Sequence, residues 1–259
     1  MVNFIIIRWR KYNFLFTELV KRDFKKKYKR TVLGIFWSML GPLLHLLVMA
    51  LIFTRFFGRN TQHYIIYLFA GVLIYSYFKE STNSGMQSLV ANSGIFTKIK
   101  VPKYLFLFSR NVSSLINFGL TLILFFIFAA IDGVAFHPRF LLLIFPVICL
   151  LMFNIGVGLI LSALFVFFKD IQYLYDIFTL LLMYLSAIFY TVDSFSYGAQ
   201  QFFMLNPVYA YIFYFRTIVL HGIVPSLNVH IICVGYALIS LALGSWFYKR
   251  YNYRFLYYM

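Results

Sequence analysis

Basic residues cluster just before the first long apolar stretch of the chain. Five of them are candidates for binding a phosphate group, because clustered cations beside a membrane leaflet attract phosphate oxygens. The alternative is that the cluster only anchors the chain on the cytoplasmic side of a membrane. The five residues are Lys21, Arg22, Lys25, Lys29 and Arg30.

Motifs for catalysis, nucleotide binding and metal binding are absent from the sequence. It contains no G-x-x-x-x-G-K-[ST], so the chain has no P-loop to hold ATP, and no H-E-x-x-H, C-x-x-C or G-x-S-x-G. Its five histidines are scattered without ligand spacing. The chain is therefore predicted to have no catalytic residue, no metal site and no cofactor of its own.

The composition is that of an integral membrane protein. Hydrophobic residues make up 63% of the chain and charged residues only 12%, whereas soluble domains carry about 25% charged residues. A net charge of +16 indicates nucleic-acid binding only where a soluble fold presents a basic face. Membrane lipid, and not nucleic acid, is the expected partner of these cations.

The N-terminal stretch is predicted to form an amphipathic helix at the membrane interface. Phe16 and Phe24 belong to an apolar stripe that recurs every four residues, and most cations fall on the other side. Asp23 and Lys27 interrupt the stripe, but they are four residues apart and are expected to pair on the helix. Residues 1–30 are therefore assigned to a cytoplasmic N-terminus.

Intervals with few or no charged residues predict an all-α membrane domain of six spans within residues 31–250. Residues 31–54 contain no Asp, Glu, Lys or Arg and are long enough to cross a hydrocarbon core of about 30 Å. With six spans, nineteen of the 23 cations fall on the cytoplasmic side, as the positive-inside rule requires. Both termini, including the tail 251–259, are therefore predicted to be cytoplasmic. The predicted spans are 32–54, 63–79, 111–131, 140–168, 171–192 and 227–248.

The polar interval between the second and third spans, residues 80–110, is predicted to contact a cytoplasmic protein. Ile95-Phe96 precedes a basic run that ends near Pro102. A short amphipathic helix that ends at a proline and exposes an aromatic side chain suits insertion into a groove of a partner.

Residues 194–222 contain no continuous apolar run that is long enough to cross a membrane. Asn206-Pro207 divides two apolar runs and His221-Gly222 ends the second, which leaves about 13 helical residues, or roughly 20 Å. A pair of re-entrant half-helices that dip into the outer leaflet and line a cavity is predicted. The alternative is a pair of helices lying flat on the outer surface.

Aromatic residues are abundant, with 33 Phe and 21 Tyr. A tyrosine combines an apolar face with a hydroxyl group, which matches the C–H faces and hydroxyl edges of a sugar ring. The alternative is the aromatic belt found at both membrane interfaces. The residues predicted to line a sugar path are Tyr77, Phe78, Tyr184, Tyr190, Phe203 and Tyr211.

Short motifs occur in a recognisable order along the chain. They are Arg22-Asp23, residues 27–34 with Trp37, Leu68 to Gly71, the loop from Asn92 to Pro102, Phe168-Lys169-Asp170, Ile188-Phe189-Tyr190, and Leu205-Asn206-Pro207 with Phe215-Arg216. In this order, over roughly residues 14–255, the chain resembles the membrane subunits of type-2 ABC exporters of polysaccharides, which handle O-antigen, capsule and teichoic acid. It departs from them at Lys169, where arginine is common, and at Ser186-Ala187, where a Ser-Pro pair is frequent.

The resemblance implies a six-helix permease of the cytoplasmic (inner) membrane that pairs with a second copy of itself. It implies docking on two copies of a separate ABC ATPase, which would bind ATP and Mg²⁺. The implied substrate is a glycan on a polyprenyl diphosphate carrier, with the diphosphate held by the basic cluster and residues 194–220 forming an extracellular gate. The implied coupling helix, which docks on the ATPase, includes Ser93, Ile95, Phe96, Thr97, Lys98 and Pro102.

Two other functions remain open at this stage. An ABC-2 exporter of drugs or small lipids would share the fold. A polyprenyl-phosphate membrane enzyme belongs to a different class and would need a cluster of polar catalytic groups at one interface, which the sequence does not offer.

Overall fold

The structure, a computed structural model, is all-helical and has no strand within the residues that it describes. It describes every residue except 1, 30, 32, 33, 35, 58–61, 97, 99, 100, 193, 194, 257 and 259. Side chains are described for the remaining residues except 2–11, 28, 55–57, 96, 197 and 256.

The α-helices of the described part follow one another along the whole chain. They are α1 (Val2–Tyr28), α2 (Phe36–Phe57), α3 (Tyr64–Gln87), α4 (Ser93–Phe96), α5 (Tyr104–Ile131), α6 (Ile144–Phe167), α7 (Ile171–Leu185), α8 (Tyr197–Phe203), α9 (Pro207–His221) and α10 (Leu227–Tyr251). Short 3₁₀ helices at Val90–Asn92, Pro138–Leu143 and Arg254–Leu256 precede α4, precede α6 and follow α10.

Four stretches of helix in the described part are long and apolar enough to cross a membrane. They are Phe36–Thr54, Tyr104–Ile131, Pro138–Phe167 and Leu227–Tyr251. α3 has 24 residues but ends in polar turns that begin at Lys79, and α7 is apolar but has only 15 residues. The prediction of an all-α multi-pass membrane protein is therefore confirmed at this level.

α3 forms the centre of the bundle. It packs against α2, α5, α6 and α9, and side chains on all of its faces are buried, among them Ile66, Leu68 and Phe69. Phe69 meets Phe125 of α5 edge to face, with ring centroids 5.3 Å apart. From Tyr64 to Phe78 α3 is apolar on nearly all of its faces, as expected of a helix in the interior of a bundle.

α6 and α10 are the most closely packed pair, and glycines allow their backbones to touch. A β-carbon at Gly156 would lie 2.3 Å from the Ser240 carbonyl carbon, and one at Gly244 would lie 2.3 Å from the Gly156 carbonyl oxygen. Small residues at the crossing of two membrane helices permit such contact.

α1 lies against α5 at the opposite end of the bundle from α9. Leu19 of α1 is buried in a small hydrophobic cluster with Phe106 and Leu107 of α5. The apolar stripe predicted from the sequence therefore faces protein at this position. Its placement along a membrane leaflet stays a prediction.

Candidate functional site

Asp23 is buried near the C-terminal end of α1, where only 1% of its side chain is exposed. Its Oδ1 accepts hydrogen bonds from Nε of Arg22 at 3.1 Å and from Nη2 at 2.7 Å. The same Nη2 donates to Oδ1 of Asn92 at 2.7 Å. Through Arg22, the acid is therefore connected to the turn that leads into α4.

The second oxygen of Asp23 faces α5. Its Oδ2 accepts a hydrogen bond from the Ser109 hydroxyl at 3.1 Å and lies 3.5 Å from Nε of Arg110. A buried carboxylate needs such partners, because an unpaired charge in this environment is strongly unfavourable. Asp23 thus joins α1, α5 and the turn before α4, a set of contacts that we call the Asp23 junction.

The sequence spacing allows Asp23 to pair with Lys27, but Asp23 bonds Arg22 and Ser109. Lys27 forms an ion pair with Glu80 of α3, at 2.8 Å. The spacing of four residues made a pair within α1 the simplest expectation. Contacts between helices far apart in sequence, such as Ser109 with Asp23, give no local signal. The available signal was the acid itself, since a carboxylate inside an apolar stripe needs a partner.

The segment predicted to dock on a partner, residues 93–102, begins as a short helix that packs against the rest of the protein on one side. The Ser93 hydroxyl donates to the Val90 carbonyl at 3.0 Å, and Ile95 packs against the cluster that contains Leu19. The Asp23 junction holds the preceding turn through Asn92. The short helix is therefore firmly connected to α1.

The rest of this segment leads from the short helix to α5. Lys98 is exposed in a turn, and Pro102 lies just before α5, where its carbonyl accepts a hydrogen bond from the Leu105 amide at 3.1 Å. Thr97 and the side chain of Phe96 lie outside the described residues. The docking role of the segment stays a prediction.

The cations predicted to bind phosphate are not equivalent. Arg22 belongs to the Asp23 junction, and Lys21 is paired with Glu18 at 3.0 Å on the surface. Lys25 and Lys29 are exposed, four residues apart, and Arg30 lies outside the described residues. Lys25 and Lys29 are therefore the described members of the cluster that present their charge to solvent.

A cavity of about 350 Å³ opens next to these cations, between α2, α3 and α5. Lys27 and Thr31 line one end, and Trp37, Pro42 and Phe69 contribute apolar walls. Hydroxyl and amide groups from Ser38, Ser76, Ser114, Asn117 and Thr121 line it as well. The cavity therefore combines a charged entrance with a mixed polar and apolar interior.

Glu80 is the acid of this cavity and connects two of its walls. Its Oε1 accepts a hydrogen bond from the Asn117 amide of α5 at 2.7 Å and pairs with Lys27 at 2.8 Å. Tyr77 lies one turn earlier on α3, lines the same cavity and packs on Phe118 with ring centroids 4.7 Å apart. Tyr77 is the predicted path aromatic that reaches this cavity.

Arg216 of α9 organises the other end of the molecule. Its guanidinium makes four hydrogen bonds of 2.8 to 3.1 Å to the carbonyls of Tyr67, Ala187 and Ile188. It also stacks on the Tyr67 ring at 3.4 Å from the centroid. The chain unwinds after α7, where Ala187 takes a positive φ of 47°, so the carbonyls of Ala187 and Ile188 lie outside a helix and take hydrogen bonds from side chains.

The remaining predicted path aromatics occupy different surroundings. Phe78 and Tyr211 lie in the core, and the Tyr211 hydroxyl donates to the Cys233 carbonyl at 2.9 Å. Tyr184 is exposed on α7. Tyr190 and Phe203 meet edge to face, with ring centroids 6.2 Å apart, beside α8. Contact of these residues with a sugar stays a prediction.

Among the described residues, no group of three or more His, Cys, Asp and Glu side chains could hold a metal ion. The polar groups of the cavity are amides, hydroxyls and one ion pair. Such groups bind and orient polar ligands, and none is arranged as a nucleophile with an adjacent base.

The long apolar helices define a multi-pass membrane protein. The chain belongs to the ABC-2 type transporter family, whose model matches residues 15–220.

Curated relatives match most of the chain. An O-antigen export system permease protein RfbA of Myxococcus xanthus is 29% identical over 201 residues, which cover 76% of both chains. RfbA of Klebsiella pneumoniae is 26% identical over 95% of this chain and 96% of the relative. The polysialic acid transport protein KpsM of Escherichia coli is 23% identical over 89% of this chain and 91% of the relative.

Proposed function

We propose that this chain is the permease subunit of an ATP-driven exporter that moves a polysaccharide, linked to a polyprenyl diphosphate carrier, across the cytoplasmic membrane. One observation carries the proposal: the chain aligns over 95% of its length with an O-antigen export permease. The mixed polar and apolar cavity beside the basic end of α1 supports it, because a lipid-linked glycan presents charge, sugar and hydrocarbon together.

The energy comes from a separate ABC ATPase, which binds ATP and Mg²⁺, because the sequence contains no P-loop. The ATPase docks on residues 93–102. Its movement reaches α1 and α5 through the Asp23 junction, which connects the turn before α4 to both helices. The permease acts as a pair of copies with two ATPase subunits. In support, α2 buries few of its own apolar side chains, so a broad face is available for a second copy or for lipid.

The proposed topology has six spans with both termini in the cytoplasm. α3 and α7 join the four long apolar helices as the second and fifth spans, and α1 lies along the inner leaflet. α8 and α9 form re-entrant half-helices at the outer leaflet. The burial of α9 supports this placement over a flat surface position, since Tyr211, Tyr214 and Phe215 are fully buried.

Lys25 and Lys29 bind the carrier diphosphate. Both are exposed and lie two residues before and after Lys27, which lines the cavity, so they can meet a headgroup before it reaches the cavity. The purified complex should hydrolyse ATP faster when a polyprenyl diphosphate-linked glycan is added. Lys25→Gln with Lys29→Gln should raise the half-stimulating glycan concentration roughly tenfold, because two attractions to phosphate are lost.

The matched control for this experiment is Arg250→Gln with Arg254→Gln, which removes two cations near the C-terminal end of α10. A similar rise in that control would show that the basic cluster acts only as a general anchor. Stimulation by amphipathic drugs, without stimulation by the glycan, would overturn the proposed substrate and favour a drug or small-lipid exporter.

Phe96→Ala with Lys98→Ala is expected to uncouple the two subunits. The complex should retain at least half of its ATPase activity, while export of the glycan into vesicles should fall about tenfold, because the docking contact no longer transmits movement. Tyr253→Ala with Arg250→Ala is the control, since it removes an exposed aromatic and a cation elsewhere. Unchanged export in the Phe96 and Lys98 variant would contradict the docking role.

A further inference from the structure

A second cavity, of about 420 Å³, lies between the ends of α5, α6 and α10 that are cytoplasmic in the proposed topology. It shares no lining residue with the cavity beside α1. None of its lining residues belongs to the basic cluster that binds the carrier diphosphate in the proposed function. The ligand of this second cavity therefore has to be inferred from its own lining residues.

One end of this second cavity is positively charged. Lys103 lies just before α5, and its ammonium donates to the Asn252 carbonyl at 2.7 Å. Lys249 of α10 is exposed and has no hydrogen bond or ion pair to another described residue. Burial lowers the pKa of Lys103, so an anion placed beside it would favour the charged form.

Tyr248 adds a polar group that has no partner. Its side chain is 7% exposed, and in the described part of the chain its hydroxyl makes no hydrogen bond. The ring is fixed edge to face against Phe255, with centroids 5.2 Å apart. Buried hydroxyl groups are nearly always hydrogen-bonded. Since Tyr248 lines this cavity, a ligand there could supply the acceptor that the hydroxyl lacks.

The other end of the cavity is apolar and lies deeper in the helices. Phe108 lies one turn into α5, and Leu159 lies about two turns before the end of α6. Trp246 is largely exposed two residues before Tyr248, in the position of an interfacial anchor. A ligand that fills both ends must therefore carry an anionic group and a hydrocarbon chain.

We propose that this cavity binds an anionic phospholipid of the inner leaflet. The phosphate lies between Lys103 and Lys249 and accepts the hydrogen bond of the Tyr248 hydroxyl, while an acyl chain lies along Phe108 and Leu159. Basic pockets between membrane helices at the cytoplasmic interface bind anionic headgroups in this way. The inference rests on the proposed topology and goes beyond the proposed function, because the lipid is a resident ligand and not cargo.

The test uses the purified full-length chain in nanodiscs of phosphatidylcholine with an increasing fraction of phosphatidylglycerol, and measures the unfolding midpoint. The midpoint of the native chain should rise with phosphatidylglycerol. In Lys249→Gln, the phosphatidylglycerol fraction that gives half of the maximal rise in the midpoint should be roughly fivefold higher, because one attraction to the headgroup is lost. Arg250→Gln is the matched control, since it removes the neighbouring cation, which does not line the cavity, and it should leave that fraction unchanged.

Tyr248→Phe separates lipid binding from folding. In phosphatidylcholine alone its unfolding midpoint should equal or exceed that of the native chain, because the substitution removes an unpartnered buried hydroxyl. With phosphatidylglycerol its rise should be smaller than that of the native chain. An equal rise for Tyr248→Phe, or an equal effect of Arg250→Gln and Lys249→Gln, would overturn the inference.

Two further outcomes would assign the cavity to another occupant. If inorganic phosphate at constant ionic strength reproduces the rise in phosphatidylcholine nanodiscs, the site binds a free anion and the lipid inference fails. If a co-purified ATPase subunit, and not phosphatidylglycerol, protects Lys103 and Lys249 from amine modification, the cavity is a protein contact and the inference fails as well. Neither outcome bears on glycan-stimulated ATP hydrolysis, which tests the proposed function.

Discussion

Replacing Arg216 with methionine is expected to lower the free energy of unfolding by about 3 kcal/mol or more. The substitution removes four hydrogen bonds from a charged donor to the carbonyls of Tyr67, Ala187 and Ile188, and such bonds are worth about 1.5–3 kcal/mol each. The loss should be smaller than their sum, because the Tyr67 hydroxyl still donates to the Ala187 carbonyl. Arg216→Lys should recover only part of this loss, because an ammonium cannot reproduce the planar fork of donors. Denaturant titration of the purified chain in micelles measures the difference.

The control for Arg216 is Arg139→Met. Arg139 is exposed and bonds the Gly222 carbonyl, so its loss should cost less than about 1 kcal/mol. Export should also fall in the Arg216 variant, since the segment after α7 loses its hydrogen bonds to Arg216 of α9 and is left with the Tyr64 and Tyr67 hydrogen bonds to α3. Equal unfolding midpoints for the two variants would show that the carbonyls find other donors.

Alanine substitutions at two glycines of α10 are expected to have opposite effects on stability. A β-carbon at Gly244 would lie 2.3 Å from the Gly156 carbonyl oxygen, whereas one at Gly235 meets no heavy atom within 4 Å. Gly244→Ala should therefore force α6 and α10 apart and destabilise the chain by about 3 kcal/mol. Gly235→Ala should be neutral or stabilise the chain by up to about 1 kcal/mol, because alanine has less backbone freedom than glycine in the unfolded state.

The same denaturant titration compares these two variants, and a cysteine pair placed across the α6–α10 crossing would report the helix separation through its crosslinking yield. The yield should fall in Gly244→Ala and remain unchanged in Gly235→Ala. Destabilisation of the same size in both variants would mean that helix propensity, and not the close crossing, determines the effect.

Features encoded in local sequence were predictable. Low charge over long intervals predicted the apolar helices, and Asn206-Pro207 predicted the start of a short helix. In the structure, the Asn206 side chain accepts hydrogen bonds from the amides of Val208 and Tyr209, and Pro207 is the first residue of α9. Both signals act within one helical turn, so the sequence displays them directly.

Features that depend on distant partners were not predictable. The predicted fifth span runs to residue 192, but α7 ends at Leu185, and the following carbonyls bond to Arg216 from another helix. Asp23 likewise finds Ser109 and Arg110, which lie far along the chain. An isolated arginine in the apolar run of α9 was the one local sign that a buried polar contact was needed.

Asp23 also limits how the α1 end of the helix bundle can deform. Sliding α1 away from α5 would separate the Asp23 carboxylate from the Ser109 hydroxyl and from the Arg110 guanidinium, and only Arg22 would remain as its partner among the described residues. That cost favours movement of α1, α5 and the turn before α4 as one unit, so a displacement of this turn would be expected to shift α1 as well.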